Sequence, residues 1–257
     1  MSLPKAGIFA VVATVLLVLA SALAVTLGCV AAPPPAPSVA RSFVYTPPEQ
    51  ARQPLRVTLA LVRPSYADPA QLAREPQWVK DTASAFTSSM QTDIEKLLIA
   101  KGFTVTGPYA TLNDMTYPEK KGANLTLTPI VDISSQANVT QETEAIGALF
   151  AGRQEGVLTI GGFVSLKMLE PLSGEGMWLK RVEIEPVQER FVVTYNIVTR
   201  EGRKHRNILS DTSEQAVTAA LNKIYPLVMQ QAWTYFNPEE VTHIKKQADE
   251  VRARKVY

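Results

Sequence analysis

The chain has one cysteine, Cys29, and only two histidines in 257 residues. Residues 30–257 therefore cannot form disulfide bonds, thiolate zinc sites or cysteine nucleophiles. His205 falls in a polar segment predicted to turn, Arg200 to Arg206, and His243 falls on a charged helix, so no metal-binding or catalytic pair is expected. The glycine, serine and histidine motifs of hydrolases, metalloproteases and nucleotide-binding enzymes are also missing. The sequence predicts no catalytic, cofactor-binding or metal-binding residue and a protein that is not an enzyme.

Excess charge of either sign is missing as well. The formal net charge is +2. Proteins that bind nucleic acid as their main partner carry a dense basic surface that neutralises phosphates. Nucleic acid is therefore not an expected partner.

Charge is absent from a long apolar run at the start of the chain, Gly7 to Ala32, which follows Lys5. A membrane-spanning helix needs about 20 apolar residues, whereas the apolar core of a cleavable signal has roughly 7–15. The run is long enough to span a membrane. It also holds Cys29 after Leu27 and Gly28, which partly matches the end of a bacterial lipoprotein signal. Two anchors stay open, a lipid on Cys29 or an uncleaved helix, and both place the rest of the chain outside the cytoplasm.

A proline-rich segment separates this run from the first predicted strand. Seven prolines lie between Ala31 and Pro54, at positions 33, 34, 35, 37, 47, 48 and 54. Such composition is typical of an extended, semi-rigid spacer. We therefore predict a signal or anchor over residues 1–29 and a linker over residues 30–54.

The first half of the body predicts alternating strands and one long helix. Leu55 to Val62 is apolar on both faces, as a central strand is, and ends at Arg63-Pro64 because proline removes a ladder donor. Phe103 to Thr106 predicts a second strand, after Lys101-Gly102 ends the helix. The helix between them has one apolar stripe at spacings of three and four: Trp78, Val79, Thr82, Phe86, Met90, Ile94, Leu97 and Leu98.

Longer strands are predicted in the middle of the chain. Leu125 to Ile133 alternates as a third strand, in which Pro129 indicates an edge or a bulge. Ala137 to Arg153 lacks strong periodicity and predicts a loop. Gly156 to Leu172 predicts a long strand, and Gly161-Gly162 at its middle indicates a bulge or a close backbone approach.

Two more strands and a turn precede the helical end of the chain. Pro171 to Gly176 predicts the turn, and Met177 to Glu185 and Val187 to Thr199 predict separate strands. Asp211 and Glu214 then have the spacing of a capping box. The helix behind them has the strongest apolar stripe in the chain, and Pro226 within it predicts a kink.

A last helix is predicted after Asn237-Pro238. Its apolar face is narrow and its other face is charged. This pattern predicts a helix that projects from the domain and offers Val241, Ile244 and Val251 as partner contacts.

The order of these elements predicts an α/β fold. We expect a single extracytoplasmic domain over residues 55–236, with a mixed β-sheet packed by two main helices. An N-terminal apolar anchor or signal helix precedes it, and a C-terminal amphipathic helix over residues 237–257 follows.

Several short segments in fixed order resemble the neuraminyllactose-binding hemagglutinin lipoproteins of Gram-negative bacteria. The resemblance covers roughly Leu55 to Gln231. The matching segments are Arg63-Pro64, Glu155-Gly-Val-Leu158, Gly162-Phe-Val164, Leu169-Glu-Pro171, Ser173-Gly-Glu175, Ala220-Leu-Asn-Lys-Ile224 and Met229-Gln230.

The resemblance implies a lipid-anchored protein of the outer membrane or flagellar sheath that acts as an adhesin or structural component without catalysis. It also favours lipidation of Cys29. The family's proposed sialic-acid-binding element is a run rich in Lys and Arg before Glu155. Here Asn138 to Gln154 has Arg153 as its only positive charge and carries Glu142 and Glu144, so sialoglycan binding is not carried over.

A second hypothesis comes from a different class of protein. The chain would be a subunit of a larger envelope assembly, such as a flagellar motor or secretion machine, held by an uncleaved transmembrane helix. In that case Val241, Ile244 and Val251 would contact neighbouring envelope or flagellar proteins.

Overall fold

The structure of the protein is a computed structural model that describes residues 40–48, 54–144, 151–200 and 202–255. The apolar run, Cys29 and most of the predicted linker lie outside the described residues. Within the described ranges, no helix combines the length and the hydrophobicity that a membrane crossing requires.

The described ranges contain seven strands and five α-helices. In chain order they are β1 (Thr58–Val62), β2 (Ser65–Tyr66), α1 (Pro69–Arg74), α2 (Gln77–Ala100), β3 (Thr104–Tyr109), a 3-10 turn (Leu112–Asp114), α3 (Tyr117–Gly122), β4 (Leu125–Thr143), β5 (Gly152–Leu169), β6 (Gly176–Arg200), β7 (Arg203–Asp211), α4 (Ser213–Tyr235) and α5 (Pro238–Arg254).

All seven strands form one mixed sheet. Its order is β3-β1-β4-β5-β6-β7, and the short β2 pairs with β4 beyond the end of β1. The pairs among β1, β2, β3 and β4 are parallel, whereas β4 to β7 are antiparallel. The predicted fold class, a mixed sheet with helices packed on it, is confirmed.

Strand β1 is buried on both faces, as its continuous apolar run predicts. Leu59 and Leu61 lie in the main core, whereas Ala60 packs on the other side of the sheet against Met115 and Ala123. The strand ends at Val62, immediately before Arg63-Pro64. Between the pairings of β4 with β1 and with β2, Pro129 has no partner on that side, so its missing N–H costs the ladder little.

The main core lies between the sheet and the two long helices, α2 and α4. Phe86 and Met90 from α2 and Tyr225 and Met229 from α4 are fully buried in it. Phe86 and Tyr225 meet edge to face, with their ring centroids 5.3 Å apart. The two predicted helices therefore pack the sheet as expected.

An amino-terminal strap, residues 40–48, packs on these two helices. Phe43 is buried between Phe86 and Tyr225, with ring centroids at 5.4 and 5.6 Å. The Ser42 backbone N–H donates to Asn222 Oδ1, and the Tyr45 N–H donates to Asp93 Oδ2. The fold therefore begins before residue 55, inside the segment predicted as linker.

Strands β4 and β5 are longer than the sequence pattern predicts. The predicted loop from Ala137 to Arg153 is wrong over residues 137–143 and 152–153, which are paired strand. Most side chains there are exposed on both faces, so no alternation of apolar and polar residues marks the strand.

Strand β6 is also continuous where two strands are predicted. Ile160 pairs with Val187 and Gly162 pairs with Ile184, so two residues of β6 face one residue of β5. This is a β-bulge, and it contains Pro186. The proline does not end the strand because a bulge leaves a residue unpaired.

Both structural predictions for Gly161-Gly162 are confirmed. Gly161 faces the bulge, and Gly162 adopts φ of +138°, a conformation that side chains rarely permit. A Cβ on Gly162 would overlap the carbonyl oxygen of Asp132 on β4. The glycine therefore allows β4 and β5 to approach closely.

The start of α4 differs from the predicted capping box. Thr212 is the N-cap residue, and Asp211 accepts a hydrogen bond from the Ser213 N–H. Glu214 pairs with Arg41 of the strap instead of reaching back to the helix start. The helix continues through Pro226.

The last helix, α5, does not project. Its cap is as predicted, since Asn237 accepts a hydrogen bond from the Glu239 N–H. Val241, Ile244 and Val251 are buried within the same chain, and Arg252 binds the buried Glu170. The narrow stripe is buried because Val241, Ile244 and Ala248 join the main core.

Candidate functional site

Two regions of the surface stand out. One is an arm, which we define as residues 138–143, 152–157, 193–200 and 202–211 of strands β4 to β7. No residue of this arm is a buried member of the main core among those described. The arm carries partly exposed large apolar side chains on its two outer strands: Val139 is 47% exposed, Ile208 52% and Leu209 51%.

A polar cluster joins the strands of the arm. Glu142 Oε1 accepts hydrogen bonds from Gln154 Nε2 at 2.8 Å, the Tyr195 hydroxyl at 3.0 Å and Arg206 at 2.9 Å. The Arg206 guanidinium also stacks over the Tyr195 ring, 4.5 Å from its centroid. These hydrogen bonds, that from Gln154 first, hold the pKa of Glu142 below its usual range. The cluster links β4, β5, β6 and β7 side by side.

The basic segment near residue 200 is part of the arm, not a turn. Arg203, Lys204 and Arg206 lie on β7, and His205 pairs with Val198 of β6. The predicted turn is wrong from residue 203 onward because Arg203 already pairs with Arg200 of β6. His205 is exposed, and His243 lies on α5 beside Gln247.

Strand β7 is an outer edge of the sheet, since β6 is its only paired neighbour in the part of the chain that the structure describes. Its pairing shifts between Thr194 and Tyr195, which leaves Leu209 as an extra residue. A bulge and basic side chains both discourage a second sheet from adding to this edge. Ile208 and Leu209 are thus carried by a strand whose backbone edge is protected from pairing with another sheet.

The second region is a cleft of about 390 Å³. Its floor is the sheet, at Ile133 and Ala137 of β4, Leu158 and Ile160 of β5 and Phe191 of β6. One wall is formed by α1 and the start of α2, including Trp78. The other is the start of α4, including Val217.

The charged residues that line the cleft are all acidic. Asp68, Glu75 and Asp132 line it, and no Lys, Arg or His is among its lining residues. Asp68 caps α1 by accepting a hydrogen bond from the Gln71 N–H at 2.8 Å. The Asp132 side chain points to the opposite face of the sheet, because Val131 and Ile133 on either side of it face the core. Burial raises the pKa of the Tyr66 phenol, which also lines the cleft.

Segments that carry the family resemblance are mainly structural. The Glu170 carboxylate is fully buried, accepts from the Ser173 N–H at 2.6 Å and binds Arg252 Nε and a terminal guanidinium nitrogen at 3.0 and 2.8 Å. Gly156 leaves room for Phe191, whose ring would touch any added Cβ. The matching segments that contain Gly156 and Glu170 therefore have a role in packing.

The predicted site residues have different outcomes. Cys29 lies outside the described residues, so its lipidation stays a prediction. The partner-contact role of Val241, Ile244 and Val251 depended on a projecting helix, and the structure uses these side chains inside the domain. No group of three His, Cys, Asp or Glu side chains able to hold a metal is found within the described ranges.

Sequence reasoning missed most residues of both regions. Trp78 and Val79 belong to the predicted stripe of α2, and nothing in that stripe separates the cleft wall from the core. Ile208 and Leu209 lie in a segment for which no strand was predicted. The segment Arg203 to Asp211 is mostly polar and charged, so it has no alternation that predicts a strand.

Comparisons with known proteins agree with the resemblance. A family model described as neuraminyllactose-binding hemagglutinin precursor matches residues 36–255. Neuraminyllactose-binding hemagglutinins of Helicobacter pylori strains 26695 and J99 are each 25% identical over 246 residues, which is 92% of this chain and 92% of theirs.

A solved structure supports the same fold. The crystal structure of a neuraminyllactose-binding hemagglutinin homologue from Helicobacter pylori superposes with a TM-score of 0.57 at 16% identity, covering 82% of this chain and 100% of that one. The family model spans every residue that the structure describes. This chain belongs to the neuraminyllactose-binding hemagglutinin family.

Proposed function

We propose that this protein is a non-enzymatic envelope lipoprotein, anchored through a lipid on Cys29, which acts as an adhesin or a flagellar sheath component. The names of its relatives describe binding proteins, and family membership supports an envelope location. The single observation that carries the proposal is the arm. Its strands extend beyond the core and hold apolar side chains at a surface where folding alone gains nothing from them.

The arm is suited to contact with another macromolecule. Val139, Ile208 and Leu209 supply apolar area, and the Glu142 cluster ties the four strands into one rigid surface. A rigid surface loses little conformational entropy on binding.

Sialoglycans are not part of the proposal. The relatives' name gives neuraminyllactose as their ligand, and a sialic acid carboxylate requires cationic donors. The cleft is lined by carboxylates, and Arg206 on the arm is already paired with Glu142.

The test replaces the apolar side chains of the arm with charges. A triple variant, Val139→Asp, Ile208→Asp and Leu209→Asp, is compared with Val44→Asp, Ile99→Asp and Leu227→Asp, which change the same residue types at sites outside the arm that are more than half exposed. Full-length protein in mild detergent is measured for binding to host cells, to matrix and to isolated flagella. We expect the arm variant to lose binding at least tenfold and the control to keep it.

Two results would contradict the proposal. One is equal binding by the arm variant and the control. The other is wild-type protein that binds none of the three surfaces.

The second candidate function is a subunit of a larger envelope assembly. The same arm favours it, because exposed apolar strands also serve contacts between subunits. A subunit would co-purify with other envelope proteins in fixed ratio, and the arm variant would lose those partners. An adhesin or sheath lipoprotein would arrive without them.

A further inference from the structure

The cleft between α1, α2 and α4 lies at the base of the arm and is largely apolar. Leu158 and Ile160 are almost fully buried in its floor, and Trp78 adds an aromatic wall. Two acidic wall residues, Asp68 and Glu75, lie beside the starts of these three helices, whose dipoles offset most of their charge. The volume of about 390 Å³ is within the range of binding sites, roughly 300–1,000 Å³. The cleft therefore favours an apolar, uncharged occupant.

An apolar, uncharged segment of the same chain lies outside the described residues. Residues 145–150, between β4 and β5, have the sequence Ala-Ile-Gly-Ala-Leu-Phe. They connect Glu144 to Ala151, beyond the last paired residues of β4 and β5 at the end of the arm away from the cleft. Residues 140–144, just before the segment, are all polar and exposed. An apolar run in such a polar surrounding indicates contact with another apolar surface.

The apolar segment is too short to reach the cleft of its own chain. Strand β4 is paired with β5 from Ala137 on the cleft floor to Thr143, and six residues of strand span roughly 20 Å. A connection of six residues must leave the arm and return to it. Half of its length therefore reaches back by only about 10 Å. The cleft that this segment can enter belongs to another copy of the chain.

We propose that residues 145–150 of one copy dock in the cleft of a second copy. The apolar side chains of the segment contact Trp78, Ala137 and Val217, which line the cleft. The two surfaces differ, so the contact is heterologous and can repeat from one copy to the next. It does not depend on the proposed function, because the protein associates with itself whether or not the arm binds cells, matrix or flagella.

Sedimentation of the full-length protein in a neutral detergent tests the role of the segment. The interface is small, so we expect a mass that rises with concentration and a Kd on the order of 100 µM. Leu149→Asp with Phe150→Asp should abolish the rise. The control, Ile99→Asp with Leu227→Asp, changes side chains that are 56% and 62% exposed and should keep it. Wild type that stays monomeric at roughly ten times that concentration would overturn the proposal. So would an unchanged rise in the segment variant, which would mean that the segment packs within its own chain.

Two neighbouring positions of β4 test the role of the cleft. Ala137 and Asn138 are both exposed, but their side chains point to opposite faces of the sheet, and Ala137 is on the cleft floor. Ala137→Glu should weaken self-association at least tenfold, because docking would bury an unpaired charge. Asn138→Glu makes the same change in net charge and should leave self-association as in the wild type. Equal effects of the two substitutions would assign the loss to net charge and overturn the proposal.

A mixture of the two variants shows whether the segment and the cleft bind each other. The variant with Leu149→Asp and Phe150→Asp has an intact cleft, and the Ala137→Glu variant has an intact segment. Each alone should stay monomeric, whereas an equimolar mixture should form dimers and nothing larger. A mixture that stays monomeric would overturn the proposal. Self-association of the Ala137→Glu variant at the wild-type level would also overturn it, because the segments would then contact each other.

Discussion

Gly161 and Gly162 are neighbours in sequence, but the backbone requires only one of them to be glycine. Gly162 has a positive φ and lies against the Asp132 carbonyl, whereas a Cβ on Gly161 would make ordinary contacts, 3.5 Å and more, with Ile184 and Pro186. Glycine is therefore needed at position 162 by conformation and space, and at position 161 by neither.

This difference predicts unequal effects of two alanine substitutions. Gly162→Ala should lower the free energy of unfolding by about 2–4 kcal/mol, because a strained backbone costs about 1–3 kcal/mol and the clash adds to it. Gly161→Ala should change it by less than about 1 kcal/mol. Urea unfolding followed by circular dichroism measures both, and equal losses would show that the bulge tolerates no side chain at either position.

Glu170 and Arg252 form a buried ion pair that ties α5 to the turn after β5. Burial pushes the pKa of Glu170 upward, but hydrogen bonds from Ser173 and Arg252 outweigh it, so the pKa lies below its usual range. A carboxylate with a depressed folded pKa stabilises the fold above its unfolded pKa, about 4.3. That contribution is lost as the pH falls from there through the folded pKa.

We therefore predict that Glu170→Gln costs roughly 2–3 kcal/mol at pH 7. This is less than the roughly 3–5 kcal/mol of a fully buried pair, because Arg252 keeps some contact with water. The difference from the wild type should be constant from pH 7 to about 5.5 and shrink below about pH 4.3. The matched control is Glu175→Gln, since Glu175 pairs with Lys255 at the surface, and it should cost less than about 1 kcal/mol. Unfolding free energies that fall in parallel with pH for wild type and Glu170→Gln would refute this assignment.

At the scale of elements, α5 shows that every residue of a narrow apolar stripe can be buried. Val241, Ile244, Ala248 and Val251 are all buried, and Trp178 of β6 donates a hydrogen bond to Glu240 at the start of the helix. The helix is thus part of the domain, although its charged surface resembles that of a free helix.

The burial of this stripe predicts a clear energetic contrast. Ile244→Ala should destabilise the fold by about 2–4 kcal/mol, because it removes buried methyl groups and leaves a cavity. Lys246→Ala, at an exposed position of the same helix, should change stability by less than about 0.5 kcal/mol. Thermal unfolding of both variants measures the contrast, and a neutral Ile244→Ala would mean that α5 is detached in solution.

Periodicity predicted the elements that bury one face or both. The stripes of α2, α4 and α5 and the run of β1 were all recognised, because burial selects apolar residues at fixed spacing. Residues 137–143 were missed because their side chains are exposed and carry no such selection. The cleft could not be predicted, since Tyr66, Glu75 and Leu158 are brought together only by tertiary packing.

At the scale of the whole molecule, the proposed anchor would decide where the domain works. A lipid on Cys29 would be the sole attachment after signal cleavage, whereas a spanning helix would hold the chain without it. Replacing the Cys29 thiol distinguishes the lipid anchor from the spanning helix.

We predict that Cys29→Ser abolishes lipidation. The protein is then either released from the membrane or kept with its signal uncleaved. Ser21→Ala, within the same apolar run, should change nothing. Membrane fractionation with mass spectrometry of the intact chain gives the measurement. A variant that stays in the membrane at unchanged mass apart from the substitution would identify a spanning anchor.

A pulling force on the segment before residue 40 would act first on the amino-terminal strap. Under the proposed function, load would reach the described fold from the side of Ala40, where Asn222 holds the backbone on both sides of Arg41. Force would be borne first by those hydrogen bonds and by the seating of Phe43, before any strand of the sheet is loaded. Peeling residues 40–45 would lengthen the chain by roughly 20 Å while the sheet stays intact. The strap would thus detach under load before the binding surface is deformed.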